Sequence, residues 1–87
     1  MAAIRKCTEN FIATVVDDEV LIVDLDGGEL FSLSGTARAV WDAIDGQHDE
    51  AAIAEAMAMS HEGDPQTILA DVQALIADLE TSALVRR

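Results

Sequence analysis

The sequence predicts an α+β domain in which a three-stranded antiparallel meander is followed by three helices, βββααα. Three observations carry that prediction. The stretch from Phe11 to Leu33 holds runs of β-branched and aromatic residues that alternate with a period of two, the pattern of half-buried strands. An Asp26-Gly27-Gly28 turn separates two of these runs, and glycine supplies the positive φ that tight hairpins need. After Ser34 the apolar residues recur at helical spacing almost to the C-terminus.

Taken in order, residues 1–10 show no clear period and read as an N-terminal lead-in, while 11–87 read as one domain. FIATVV forms the first strand, DDE breaks it, and VLIVDL forms the second. Along the second strand Leu21, Val23 and Leu25 share one face and Val20, Ile22 and Asp24 the other. Both faces begin apolar, which places this strand at the centre of the sheet. ELFSL is the third strand, with Glu29, Phe31 and Leu33 on one face and Leu30 and Ser32 on the other.

Ser34 stands where an N-cap is needed, its hydroxyl able to accept from the free amides of a first helical turn. Ala37, Val40, Trp41 and Ile44 then mark a first helix that Gly46 stops. Asp49 caps an alanine-rich second helix to about Met59, with Ile53, Ala56 and Met57 on its apolar side. SHEGDP is a loop, and Asp64-Pro65 is an N-cap followed by proline at the first helical position. The third helix carries a stripe of Ile68, Leu69, Val72, Leu75, Ile76 and Leu79, after which Leu84 and Val85 are available to pack.

The chain has 87 residues, 51% of them hydrophobic, enough for one modest core but little room for a deep catalytic cleft. Seventeen acidic residues against five basic ones give a net charge of -12. Such a surface repels phosphate backbones and anionic headgroups, so nucleic acid and membrane are poor partners. MAAIRKCTENF lacks the apolar stretch of a secretion signal, and no run approaches the roughly 18 apolar residues of a membrane span. The chain therefore reads as cytoplasmic.

Little in the sequence proposes chemistry. Cys7 has no partner for a disulfide and reads as a reduced thiol. Asp17, Asp18, Glu19, Asp24, Asp26 and Glu29 cluster in sequence, but DLDGGE is too short for a calcium loop. His48 and His61 lie in polar loops without a second ligand at metal spacing. Neither Cys7 nor Ser34 has a motif that places a base beside it, and Gly27-Gly28 sits between two strands, not before a helix as a phosphate loop would. No metal, cofactor or catalytic residue is expected, and Trp41 reads as core.

The third strand is more informative. In a meander the outer strands are edges whose unpaired amides and carbonyls proteins normally blunt with charge, proline or a covering element. ELFSL has one carboxylate, no proline and no lysine. If the third helix packs alongside it, the edge becomes one wall of a groove able to take an extended peptide as a fourth strand. Asp71, Leu75 and Asp78, at the rim of the helical stripe, would border that groove. The same edge could instead pair with a second copy of the chain.

The run VLIVDLDGGELFSLSGTARAVWDAIDG, followed by a short alanine-rich helix and DVQALIADLETSALV, resembles the PqqD-like family, the precursor-peptide recognition elements of ribosomally synthesised, post-translationally modified peptide pathways. The resemblance spans about residues 11 to 85. It rests on the strand-turn-strand before the helix start Leu33-Ser34-Gly35-Thr36-Ala37, on Val40-Trp41, and on the closing stretch Asp71-Val72-Gln73-Ala74-Leu75-Ile76-Ala77-Asp78-Leu79. Ser34 stands where asparagine is usual and Ala37 where glycine is usual. Serine caps about as well as asparagine, while the lost glycine bears on how closely the first helix approaches the sheet.

The resemblance implies a winged helix-turn-helix-like fold that binds the leader of a precursor peptide and presents it to a radical SAM enzyme, a cyclodehydratase or a leader peptidase. It implies a contact strand of Glu29, Leu30, Phe31, Ser32 and Leu33 facing Asp71, Val72, Leu75, Ile76, Asp78 and Leu79, with Val72, Ile76 and Leu79 shared with the core. The reading is then a non-catalytic adaptor, monomeric or weakly homodimeric. Its rivals are a winged-helix DNA-binding regulator, disfavoured by a third helix without lysine or arginine, and a homodimeric structural subunit. A small hydrolase is more remote, because nothing proposes its nucleophile.

Overall fold

A computed structural model describes residues 3–60 and 63–87, so His61 and Glu62 of the predicted loop lie outside the described residues. The three predicted strands form as β2 (Phe11–Val16), β3 (Glu19–Asp24) and β4 (Leu30–Leu33), after a two-residue β1 (Arg5–Lys6). The helices are α1 (Gly35–Ala43), α2 (Glu50–Ser60) and α3 (Pro65–Thr81), and a short β5 (Val85–Arg86) ends the chain. β2, β3 and β4 make an antiparallel sheet in that order, with β3 in the middle.

Cross-strand partners share a face, so the register places Val20, Ile22, Phe31 and Leu33 on the side covered by the helices. Val20, Ile22 and Leu33 are buried there with Val40, Trp41, Ile44, Ile53, Val72, Ile76 and Leu79. The other side of β3, also apolar in sequence, is open: Ile12, Val23 and Leu30 form an exposed row across the three strands. At the β3–β4 turn Asp24 is largely buried; its Oδ1 accepts from the Asp26 amide at 3.0 Å, and Gly28 takes a φ of 71°.

Two caps differ. Asp64 accepts from the Gln66 amide at 3.0 Å and starts α3 as its sequence requires. Ser34 occupies the cap position of α1, yet its hydroxyl makes no capping bond. Gly35, at a φ of 57°, separates Ser34 from the regular helical turn, so the side chain is not aimed at the amides it was expected to serve. In α2 the buried residues are Ile53, Ala54 and Met57, whereas Ala56, expected on the apolar side, is exposed. A helix this rich in alanine has little amphipathic pattern, and packing against α3 decides which alanine turns inward.

Residues 3–10, aperiodic in sequence, are built into the domain. β1 pairs antiparallel with β5, Arg5 opposite Arg86 and Lys6 opposite Val85. Ile4 is completely buried; its amide donates to the His48 carbonyl and its carbonyl accepts from Gly46, each at 2.9 Å. The Cys7 amide donates to Leu84 O at 2.9 Å, and the Asn10 side chain donates to Ala83 O at 2.9 Å. Cys7 is a buried free thiol. Leu84 and Val85 complete the core, and Arg87 pairs with Glu50 and Glu80.

Trp41 lies in this core, 3% exposed. Phe11 meets it edge-on at 5.2 Å between ring centroids, and the Lys6 ammonium lies 4.6 Å above its ring. Burial pushes the Lys6 pKa down, while the carboxylates of Asp42 and Asp45 pull it back up.

Candidate functional site

β4 is an edge strand, bonded to β3 on one side only, and two hydrogen bonds determine which of its groups are free. The Asp24 amide donates to Glu29 O at 2.8 Å, and the Leu25 amide donates to Asn10 O at 2.9 Å. Backbone groups in an antiparallel ladder alternate in direction, so even-numbered residues of β3 bond toward β4 and odd-numbered ones toward β2. Ile22 is opposite Phe31 and Val20 is opposite Leu33. Phe31 and Leu33 therefore direct their amides and carbonyls inward, and Leu30 and Ser32 direct theirs to the open edge.

Beside that edge lies a groove of about 430 Å³, walled by Glu29, Phe31 and Leu33 on one side and by Leu75, Asp78, Leu79, Thr81 and Ser82 on the other. Leu75 continues into a hollow of about 180 Å³ between α1 and α3 that is lined by Thr36, Ala37, Val40, Asp71 and Val72. Glu29 faces the C-terminal end of α3 and Thr36 lies near Asp71 further back along it. β4 and α3 thus run in opposite senses along one continuous trough. Its floor is aliphatic, carboxylates and hydroxyls stand along its rim, and the unpaired edge of β4 runs beside it.

The two residue groups singled out in the sequence are brought together, but not equally. Glu29, Phe31 and Leu33 line the trough with Leu75 and Asp78, while Asp71 stands at its continuation. Leu30 and Ser32 turn their side chains to the opposite face of the sheet, where Ser32 Oγ donates to Glu19 at 3.3 Å, and offer the groove edge only backbone. Val72 and Leu79 are buried and form floor, and Ile76, with no exposed surface, lines neither hollow and belongs to the core. Trp41 is also core.

Thr36, Ala37, Val40, Thr81 and Ser82 line the trough without having been picked out from the sequence. One signal pointed that way: Ala37 is the position where the resembled family carries glycine, and it sits at the α1–α3 hollow. A separate depression of about 420 Å³ lies between α2 and α3, lined by Ala51, Ala54, Glu55, Ala58, Met59, Pro65 and Leu69. It borders no strand edge, so it offers no row of backbone donors and acceptors of the kind that strand addition uses. Among the described residues no group of three or more His, Cys, Asp or Glu side chains is arranged to hold a metal ion.

Comparison with known proteins bears on this arrangement. The family model described as coenzyme PQQ synthesis protein D (PqqD) matches residues 19–85, from β3 to β5. The chain is similar in structure to TbiB1 in complex with the TbiA(beta) leader peptide, with a TM-score of 0.82 at 20% identity over 94% of each chain. It is also similar to a lasso peptide synthetase B1 complexed with the leader peptide, with a TM-score of 0.84 at 20% identity over 99% of this chain and 100% of that one. At that identity the likeness is one of fold. No curated protein matches the sequence.

Proposed function

Since this chain belongs to the PqqD family, we propose that it is a non-catalytic adaptor that binds the leader segment of a precursor peptide and presents it to a modifying enzyme. The observation that carries the reading is the open edge of β4, with Leu30 and Ser32 directing backbone groups out beside an aliphatic trough. A leader paired there as a fourth strand satisfies those groups, and its inward side chains enter the trough against Leu75 and Leu79. The two similar structures, both complexes with a leader peptide, support this reading.

Holding the leader raises the effective concentration of the attached core peptide near the enzyme's active site. The enzyme is a radical SAM enzyme, a cyclodehydratase or a leader peptidase. The adaptor works in the cytoplasm, as a monomer or a weak homodimer; no helix among the described residues is long and apolar enough to cross a membrane. A second copy pairing through β4 would compete with the leader for the same amides, and concentration-dependent sedimentation measures that competition.

The test is a titration of isotopically labelled protein with the leader of a precursor encoded nearby, following backbone amide shifts. Shifts are expected in residues 29–33 and along the trough face of α3. Ser32→Pro removes an outward amide and is expected to abolish binding while the domain stays folded. Phe31→Pro instead breaks the ladder to Ile22 and destabilises the sheet. Unchanged affinity in folded Ser32→Pro, or a saturating leader that moves nothing at β4, excludes strand addition there.

A further inference from the structure

The trough has a charge pattern of its own. Glu29 and Asp78 stand at one end and Asp71 at the other, and beyond Asp71 a further hollow along α3 is lined by Thr36, Asp64, Thr67 and Ile68. Among the described residues no lysine, arginine or histidine lines any of the three hollows. None of Glu29, Asp71 and Asp78 has an ion-pair partner among the described residues. Asp71 and Asp78 flank Leu75 on one face of α3, about 10 Å apart at the usual helical rise. Guest-strand residues two or four positions apart, which share a face, are about 7 or 13 Å apart and so bracket that distance.

We propose that the leader this trough selects is amphipathic and cationic. It places apolar side chains on the Leu75 and Leu79 floor and, on the same face of the strand, lysine or arginine toward Glu29 and Asp78 at one end and toward Asp71 at the other. The parity follows from the ladder. Guest residues opposite Glu29, Phe31 and Leu33 point into the trough, and their neighbours point to the outer face of the sheet. Basic and apolar recognition residues therefore stand an even number of positions apart. Acidic side chains at those positions are rejected, because they would meet like charge beside an apolar wall.

This inference rests on the leader-binding reading, and one experiment separates the two. Immobilised full-length protein is used to select binders from a displayed library of random dodecapeptides, in parallel with Ser32→Pro. Peptides lost on Ser32→Pro are expected to carry lysine or arginine at even offsets from an apolar anchor, and few acidic residues there. For an individual binder, Asp71→Asn and Asp78→Asn are each expected to weaken affinity about two- to fivefold at low salt, the range of partly exposed ion pairs. That difference is expected to shrink in about 0.5 M salt, where screening is strong. Ser32-dependent binders with neutral or acidic residues at those offsets, or Asn variants that bind equally well, overturn the charge inference and leave the leader-binding reading standing. Binders indifferent to Ser32→Pro overturn strand addition itself, and a selection that yields no binder overturns both.

Discussion

Replacing Ile4 with alanine tests whether the N-terminal segment is part of the domain or an appendage to it. Ile4 has no exposed surface, so the substitution removes buried carbon with no exposed portion to discount. Its backbone bonds to His48 and Gly46 are retained in the variant, which confines the loss to side-chain packing. Burial of this kind costs about 2–5 kcal/mol for isoleucine to alanine, and because the adjoining β1 is only two residues long and can settle toward the gap, about 2–3 kcal/mol is expected. A domain of 87 residues has a total stability of about 4–13 kcal/mol, and the melting temperature should fall by roughly 10–20 °C. The assay is urea unfolding followed by Trp41 fluorescence and far-UV circular dichroism together. Trp41 touches Phe11 and lies under Lys6, so it senses detachment of the N-terminus directly. A loss below about 0.5 kcal/mol, the size of a surface substitution, would refute the placement of Ile4 in the core. A fluorescence change well ahead of the dichroism would show instead that the segment docks as a separate unit.

Other expectations concern local geometry. Asp64→Ala should cost about 1 kcal/mol because it removes the cap on the Gln66 amide. Ser34→Ala should cost a few tenths at most, since that hydroxyl caps nothing; urea midpoints compare the two. Ala83 has a φ of 59° directly after α3, and Gly35 a φ of 57° at the start of α1. Ala83→Gly should therefore stabilise the fold by about 0.5–1 kcal/mol, and Gly35→Ala should destabilise it by about 1 kcal/mol, both read from the same midpoints. Asp45 Oδ1 accepts from His48 Nδ1 and from the Gln47 amide, each at 2.9 Å, and these bonds hold its carboxyl pKa below the ordinary value near 3.8. A depressed carboxyl pKa adds stability that is present above the ordinary value and lost as pH falls through the lower folded value. The Gln47 amide shift should titrate with a midpoint below 3.8 and stop titrating there in Asp45→Asn.

The local order of the chain is legible in its residues, because strand and helix periods are properties of short stretches. The meander, the turn at Asp26-Gly27-Gly28, the Asp64-Pro65 start of α3 and the weak protection of the β4 edge all follow from neighbours in sequence. So does the facing pair of Glu29–Leu33 and the Asp71, Leu75, Asp78 row, once α3 is assumed to lie beside β4. Strand parity is implicit in the alternation, but which parity faces the open edge depends on the register set by the Asp24 and Leu25 hydrogen bonds.

Tertiary structure decided what no short window encodes. A two-residue strand has no period, so the pairing of β1 with β5 across nearly the whole chain, and with it the burial of Ile4, carries no local signal. In a helix with alanine at five of its eleven positions the choice of Ala54 over Ala56 as the inward residue comes from the packing of α2 on α3. Ile76 shares its stripe with Leu75, yet the way α3 faces the sheet sends the first into the core and leaves the second at the groove. Ser34 has the right chemistry for a cap, but Gly35 sets the geometry. The residues left the β4 edge with little protection; the packing of three helices against one face of a small sheet decided which side chains would stand beside it.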